Sequence, residues 1–205
     1  MSKWPVALGI TVLCLSAGTV YGQQHEFGVL AGGVIPGNHS VALPSANSID
    51  TGTGLGLNFF FDERIINAHV AALYVELPVI VIPNTNVSSS NVALPRSYSS
   101  VFVTPSLKLN IAPFAWASPY AVLGGGLAHF NSSGTTQNDA VNTHSTGGTS
   151  AAYDIGGGMD LKFLPFLGGR FELRDVSTGN PKFNVPVTGG RQHNLLLAVG
   201  LVVKF

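Results

Sequence analysis

The sequence predicts an all-β protein: a closed, antiparallel, up-and-down transmembrane β-barrel of about eight strands behind a cleaved signal peptide. Three observations carry this expectation. Only 10% of the 205 residues are charged, against about 25% in an ordinary soluble domain. Apolar and polar residues alternate with period two along most of the chain. The connections between the alternating segments are long and short in turn.

The chain opens on Met1-Ser-Lys3, a short positive start, followed by the nearly apolar run Val6 to Val20 and by Val20-Tyr21-Gly22-Gln23. This reads as a secretory signal, residues 1–22, with the barrel domain over 23–205. The apolar run is ~15 residues, short of the about 20 that a spanning helix needs. Cleavage removes Cys14, the single cysteine, so the exported domain has no disulfide to staple it. Mean hydropathy is +0.33, yet no later stretch is long and apolar enough for a spanning helix. A chain so apolar and so poor in charge suits an outer surface that faces lipid. Ten basic residues balance ten acidic ones, so there is no electrostatic footprint for nucleic acid.

Strands are expected at 25–34, 51–61, 66–77, 98–111, 120–130, 150–163, 168–177 and 193–205. In the fourth, Val101, Val103, Leu107, Leu109 and Ile111 share one face, while Phe102, Thr104, Ser106, Lys108 and Asn110 share the other. In the last, Leu195, Leu197, Val199, Leu201, Val203 and Phe205 line up. Long loops are expected at Ile35–Asp50, Val79–Ser97, Asn131–Thr149 and Thr178–Gln192, and short turns at Asp62–Ile65, Ala112–Pro119 and Leu164–Leu167. Both termini then fall on the short-turn side, and closure leaves no sheet edge, which lipid would not tolerate. Phe27, Phe59, Phe60, Phe61, Phe114, Trp116, Tyr120, Phe163, Phe166 and Phe205 gather at that side as an expected interfacial girdle. Tyr98, Phe130 and Tyr153 are candidates for a thinner one opposite. Pro105 interrupts the fourth strand, where a bulge or local break is expected. Gly124-Gly-Gly126 hides the parity of the fifth.

Ionisable strand residues fall opposite the apolar stripe: Glu76, Lys108, Asp154, Asp160, Lys162, Arg170, Glu172 and Arg174. In a barrel of eight strands that face is a lumen just wide enough for side chains to fill. Buried charges there must pair, so a charge network plugging the interior is expected. His25, His39, His69, His129, His144 and His193 show no metal-ligand spacing, no motif frames a nucleophilic serine, and the glycine triplets precede no helix. The expectation is no catalytic residue, no metal and no cofactor.

The end of the chain, Gly200-Leu-Val-Val203-Lys-Phe205, resembles the signal that hands outer-membrane proteins to the barrel assembly machinery, with Gly200, Val203 and Phe205 as its marks and Ala198 as a departure from its usual polar position. Together with Thr104-Pro-Ser-Leu-Lys-Leu109, Ser118 to Phe130, Gly156-Gly-Gly-Met-Asp-Leu-Lys162 and Arg170-Phe-Glu-Leu-Arg-Asp175, the chain is similar to the small bacterial outer-membrane β-barrels of the outer-membrane protein A and W type. The resemblance implies residence in the bacterial outer membrane after export through the periplasm. Its partners would be outer-membrane lipid and lipopolysaccharide, the assembly machinery, and an extracellular ligand through the long loops. It implies little about activity. The leading expectation is a non-enzymatic barrel with a structural or surface-binding role and a closed, charge-filled lumen. The alternatives are a narrow channel for small solutes, a lipid-modifying barrel enzyme, and a secreted lipocalin-like ligand binder.

Overall fold

The computed structural model describes residues 24–37, 39–41, 48–89, 94–143, 147–179, 187–188 and 190–205. The expected signal peptide, residues 1–22, lies outside them. The strands are β1 (His25–Pro36), β2 (His39–Val41), β3 (Ser48–Thr51), β4 (Gly54–Asn67), β5 (Ala71–Ser88), β6 (Ser97–Val103), β7 (Ser106–Ile111), β8 (Ala117–Ser132), β9 (Gly147–Leu164), β10 (Leu167–Thr178), β11 (Val187–Thr188) and β12 (Gln192–Lys204).

Eight staves form a closed antiparallel ring: β1, β4, β5, the broken stave β6/β7, β8, β9, β10 and β12, which pairs back onto β1 from Glu26↔Lys204 to Pro36↔Asn194. Even-numbered residues face inward on the staves, up to a bulge at Pro83–Asn84 where β5 changes parity. Odd-numbered residues face outward, and there the surface is apolar: Val29, Leu77, Val103, Leu109, Leu123, Ile155, Leu173, Leu197 and Leu201 are all exposed. That exterior is the reverse of a soluble, lipocalin-like barrel.

Pro105 breaks its stave as expected. The register is nonetheless the same on both sides of the gap: Val79↔Val103 and Glu76↔Ser106 on β5, Val103↔Leu127 and Ser106↔Gly124 on β8. The preserved register sets Pro78 opposite Thr104, so two neighbouring staves lack a donor at the same height. The Gly125 N–H reaches across the gap to the Pro105 carbonyl at 3.2 Å. A Cβ on Gly126 would sit 2.0 Å from the Val103 carbonyl oxygen. The glycine triplet therefore marks close backbone approach at the break.

The first hairpin differs from the expectation. Asp62–Ile65 is not a turn. β4 runs on to Asn67, with a bulge between Arg64 and Ile66, and the chain reverses at Ala68–Val70, where His69 has φ 61°. Charged Asp62-Glu63-Arg64 reads as turn sequence, but Asp62 continues the inward parity of Asn58 and Phe60 and spends its charge in the lumen. β5 accordingly starts later than expected and runs through Val79–Ser88, a stretch expected to be loop. The other long connections keep their places. Short strands β2, β3 and β11 extend the sheet beyond the barrel through pairings in the order β11–β2–β3–β5.

Phe27, Phe59, Phe61, Phe114, Trp116, Phe163, Phe166 and Phe205 are exposed around the short-turn rim. Phe60 and Tyr120, expected among them, have even parity and point inward. On the opposite side Tyr153 is exposed, whereas Tyr98 and Phe130 are buried for the same reason.

Candidate functional site

The interior has two storeys. The storey nearer the short turns is ionic. Lys108 lies between Glu26, 2.9 Å from its Nζ, and Asp62, with Asp160 at 3.8 Å. Arg170 bonds Asp160 through Nε at 2.6 Å and through Nη2 at 3.0 Å. The same guanidinium reaches Glu26 at 3.0 Å, Asp62 at 3.2 Å and Glu76 at 3.4 Å. Arg174 bonds Glu76, Asp154 at 2.8 Å and Glu172 at 3.0 Å. Lys204 closes the lower end on Glu26 at 2.8 Å.

Neutral groups complete this storey. Asn58 and the Tyr120 hydroxyl each donate to Glu172 at 2.9 Å. Asn110 donates to Asp160 at 3.2 Å, and Ser106 to Asp154 at 3.1 Å. Lys108 stands 4.4 Å from the Tyr74 ring centre, and Arg170 4.1 Å from that of Phe60. The alternation Arg170-x-Glu172-x-Arg174 builds part of this on one stave, because residues two apart share a face about 7 Å apart. Six carboxylates (Glu26, Asp62, Glu76, Asp154, Asp160, Glu172) thus meet four cations (Lys108, Arg170, Arg174, Lys204). Consistent with that surplus, three buried acceptors in this storey have no hydrogen-bond partner: Asn58 Oδ1, Asp62 Oδ1 and Asn110 Oδ1.

The storey nearer the long loops is apolar. Leu30, Val34, Ile80, Ile82, Phe102, Phe130, Val176 and Leu196 pack into one buried cluster. Phe102 and Phe130 meet edge-on at 5.9 Å. Above them Gln192 donates to the Tyr98 hydroxyl at 3.0 Å and to Asn194 Oδ1 at 2.9 Å. The loops add a cover: Leu94 is fully buried, and Gln137 ties its loop to the Val87 carbonyl at 2.6 Å. At the short-turn end the lumen instead opens into a cavity of about 250 Å³ lined by Glu26, Arg64, Tyr74, Phe114, Lys162 and Lys204, among others.

Seven of the eight expected lumen charges therefore come together: Glu76, Lys108, Asp154, Asp160, Arg170, Glu172 and Arg174. Lys162 does not join them. It sits half-buried at the end of β9, beside the register shift at Leu167/Gly168, and lines the open cavity. Sequence reading missed Glu26, Asp62 and Lys204. Glu26 is in phase with Gly28 and Leu30, a signal that was available, and Asp62 was masked by the expected turn.

Gly200 and Val203 lie on β12, the strand that closes the ring, and Phe205 directly follows it. A Cβ on Gly200 would come 2.0 Å from the Val29 carbonyl oxygen and 2.7 Å from the Leu30 Cα, so this glycine is demanded by closure. Phe205 exchanges two backbone hydrogen bonds of 3.0 Å with His25, and its ring faces out at the rim.

The closed ring of eight staves with an apolar exterior can be set beside known proteins. No family model and no curated protein matches the chain. Solved structures do. Neisserial surface protein A aligns with a TM-score of 0.53 at 13% identity, covering 87% of this chain and 97% of its own. The outer-membrane protein OprG from Pseudomonas aeruginosa aligns with a TM-score of 0.53 at 14% identity, covering 90% and 97%. This is the fold of the small outer-membrane β-barrels. At such identities the likeness concerns the fold and leaves activity open.

Proposed function

We propose that the protein is an integral barrel of the bacterial outer membrane, of the outer-membrane protein A and W type, exported through the periplasm and inserted by the assembly machinery. Its lumen is closed, and its role is non-enzymatic: it strengthens the envelope or presents the long loops for binding. The observation that carries this reading is the filled interior. An apolar storey capped by Tyr98, Gln192 and Asn194 sits over a paired ionic storey, and all three caps are buried. A buried ionic layer under a packed apolar one offers a hydrated ion no continuous polar path.

Planar-bilayer recording of the folded protein is the direct test, and a silent trace is expected. Steady unitary conductance would overturn the closed lumen and favour a narrow channel, for which the cavity at the short-turn end would be the vestibule. Location is tested separately by membrane fractionation with gel migration before and after boiling. A soluble protein without a heat-dependent shift would overturn the membrane assignment. The enzyme alternative needs a serine relayed through a histidine to an acid on the outer wall. Asp175 does meet His193 Nδ1 there at 2.7 Å, and Ser177 stands opposite His193 across β10 and β12, but no hydrogen bond joins the Ser177 hydroxyl to the His193 ring; that hydroxyl accepts from Arg191 at 2.9 Å. An unchanged lipid A profile on overexpression is therefore expected.

A further inference from the structure

One rung of the outer wall near the long loops is polar, and below it the wall is apolar apart from Asp175. Tyr153, Ser177 and His193 form this rung across β9, β10 and β12. Ile155, Asp175 and Leu195 form the next one down, and Gly157, Leu173 and Leu197 the one after. Arg191 lies just above and folds back over β10. Its Nε donates to the Ser177 hydroxyl at 2.9 Å, and its Nη2 donates to the Ser177 carbonyl at 2.8 Å and to the Ala151 carbonyl at 3.1 Å. Its guanidinium carbon stands 4.5 Å from the Tyr153 ring centre.

These contacts use Nε and both Nη2 hydrogens and hold the plane of the guanidinium. The Nη1 group makes no bond to a described residue, and Arg191 is exposed. Asp175, the carboxylate of this face, is bonded to His193 and forms no ion pair with Arg191. A fixed, outward arginine without a carboxylate is an unusual residue to find directly above Ile155, Leu173, Leu195 and Leu197, all exposed to lipid. Arginine is costly on a lipid-facing wall at the midplane and nearly free at the interface, where its charge can meet a headgroup. Tyr153 is the aromatic residue of that level.

We infer that Arg191, steadied by Ser177, Ala151 and Tyr153, is a binding site for the phosphate of an outer-leaflet lipid headgroup, with the acyl chains lying on the apolar wall beneath. The planar fork suits a phosphate because a preorganised guanidinium gives up little side-chain freedom on binding. His193, two residues on and on the same face, adds a second donor when protonated. The inference rests on the outer-membrane reading.

The test uses the folded full-length barrel in detergent micelles, titrated with diphosphorylated lipid A or its dephosphorylated form and read by native mass spectrometry. The phosphorylated lipid is expected to bind, and Arg191→Ala to weaken it about tenfold, the scale of one charge-assisted contact. Arg191→Lys, which keeps the charge but loses the fork, should fall between. Dephosphorylated lipid should bind the native protein and Arg191→Ala alike. Equal affinity of the native protein and Arg191→Ala for the phosphorylated lipid would overturn the inference. So would competition by millimolar inorganic phosphate, which would make this a free-anion site. Each sample is checked for heat-dependent migration, so a protein that never folds as a barrel fails the outer-membrane reading before the lipid question is asked.

Discussion

Replacing Glu172 by glutamine sets two effects of opposite sign against each other. The ionic storey holds more carboxylates than cations, so removing one negative charge relieves repulsion. Yet Glu172 is the best satisfied acid in it, taking Arg174 Nε at 3.1 Å, Arg174 Nη2 at 3.0 Å, Asn58 at 2.9 Å and Tyr120 at 2.9 Å. A glutamine has one acceptor oxygen, and its amide N–H groups would face donors. Removing one partner of a buried ion pair costs about 3–5 kcal/mol. Arg174 keeps Glu76 and Asp154, which puts the expected loss at the lower end, about 3 kcal/mol. Asp62→Asn is the contrast. Asp62 Oδ1 has no partner, and Lys108 and Arg170 each keep other carboxylates, so relief of the surplus offsets most of its loss and about 1 kcal/mol is expected. Urea titration of the barrel in lipid vesicles reads both. Trp116, the single tryptophan beyond residue 22, is exposed at the short-turn rim and reports insertion by fluorescence. With a slope of about 1–3 kcal/mol per molar urea, Glu172→Gln should lower the midpoint by about 1 M or more. An unchanged midpoint, or a larger drop for Asp62→Asn, would refute the view that satisfied bonding outweighs charge surplus here.

Three further substitutions test other parts of the barrel. Phe102→Ala in the apolar storey should cost about 3–5 kcal/mol in the same titration, because the hole lies among Phe130, Ile80 and Ile82 in a packed cluster; a loss under 1 kcal/mol would mean that the cluster is not tightly packed. Gly200→Ala should abolish the heat-modifiable band, since its Cβ meets backbone of β1 on closure, and a normal band would show that β1 and β12 do not approach so closely. Phe205→Ala should reduce assembly in cells while barrels refolded in vesicles keep their urea midpoint. An equal fall in both would make Phe205 a stability residue, and no change in cells would remove it from the assembly signal.

Period-two patterning carried most of the fold because a lipid-spanning barrel obeys one rule at every stave. In Ser97–Ile111 and Gln192–Lys204 the outward residues are apolar except near the long loops and the inward ones meet the lumen, so faces could be read off before any pairing was known. Local composition misled in the stretch Asp62-Glu63-Arg64, where charge looks like solvent exposure although Asp62 in fact faces the lumen. The aromatics misled in the same way: Phe60 and Tyr120 look like girdle residues by position along the chain, and only their parity sends them inward beside Arg170.

The sequence by itself therefore determined that the chain is a barrel, which face of most staves is apolar, and that charged residues gather on the opposite, inward face. It could do so because alternation is a local property of a strand. Tertiary structure alone decided who pairs with whom. Glu26 reaches Lys108 and Arg170 across the barrel, from positions far away in the sequence. Closure of β12 on β1 and the register kept through Pro105 fix the heights at which those side chains meet. The division into an ionic and an apolar storey follows from those heights, and no window of sequence contains them.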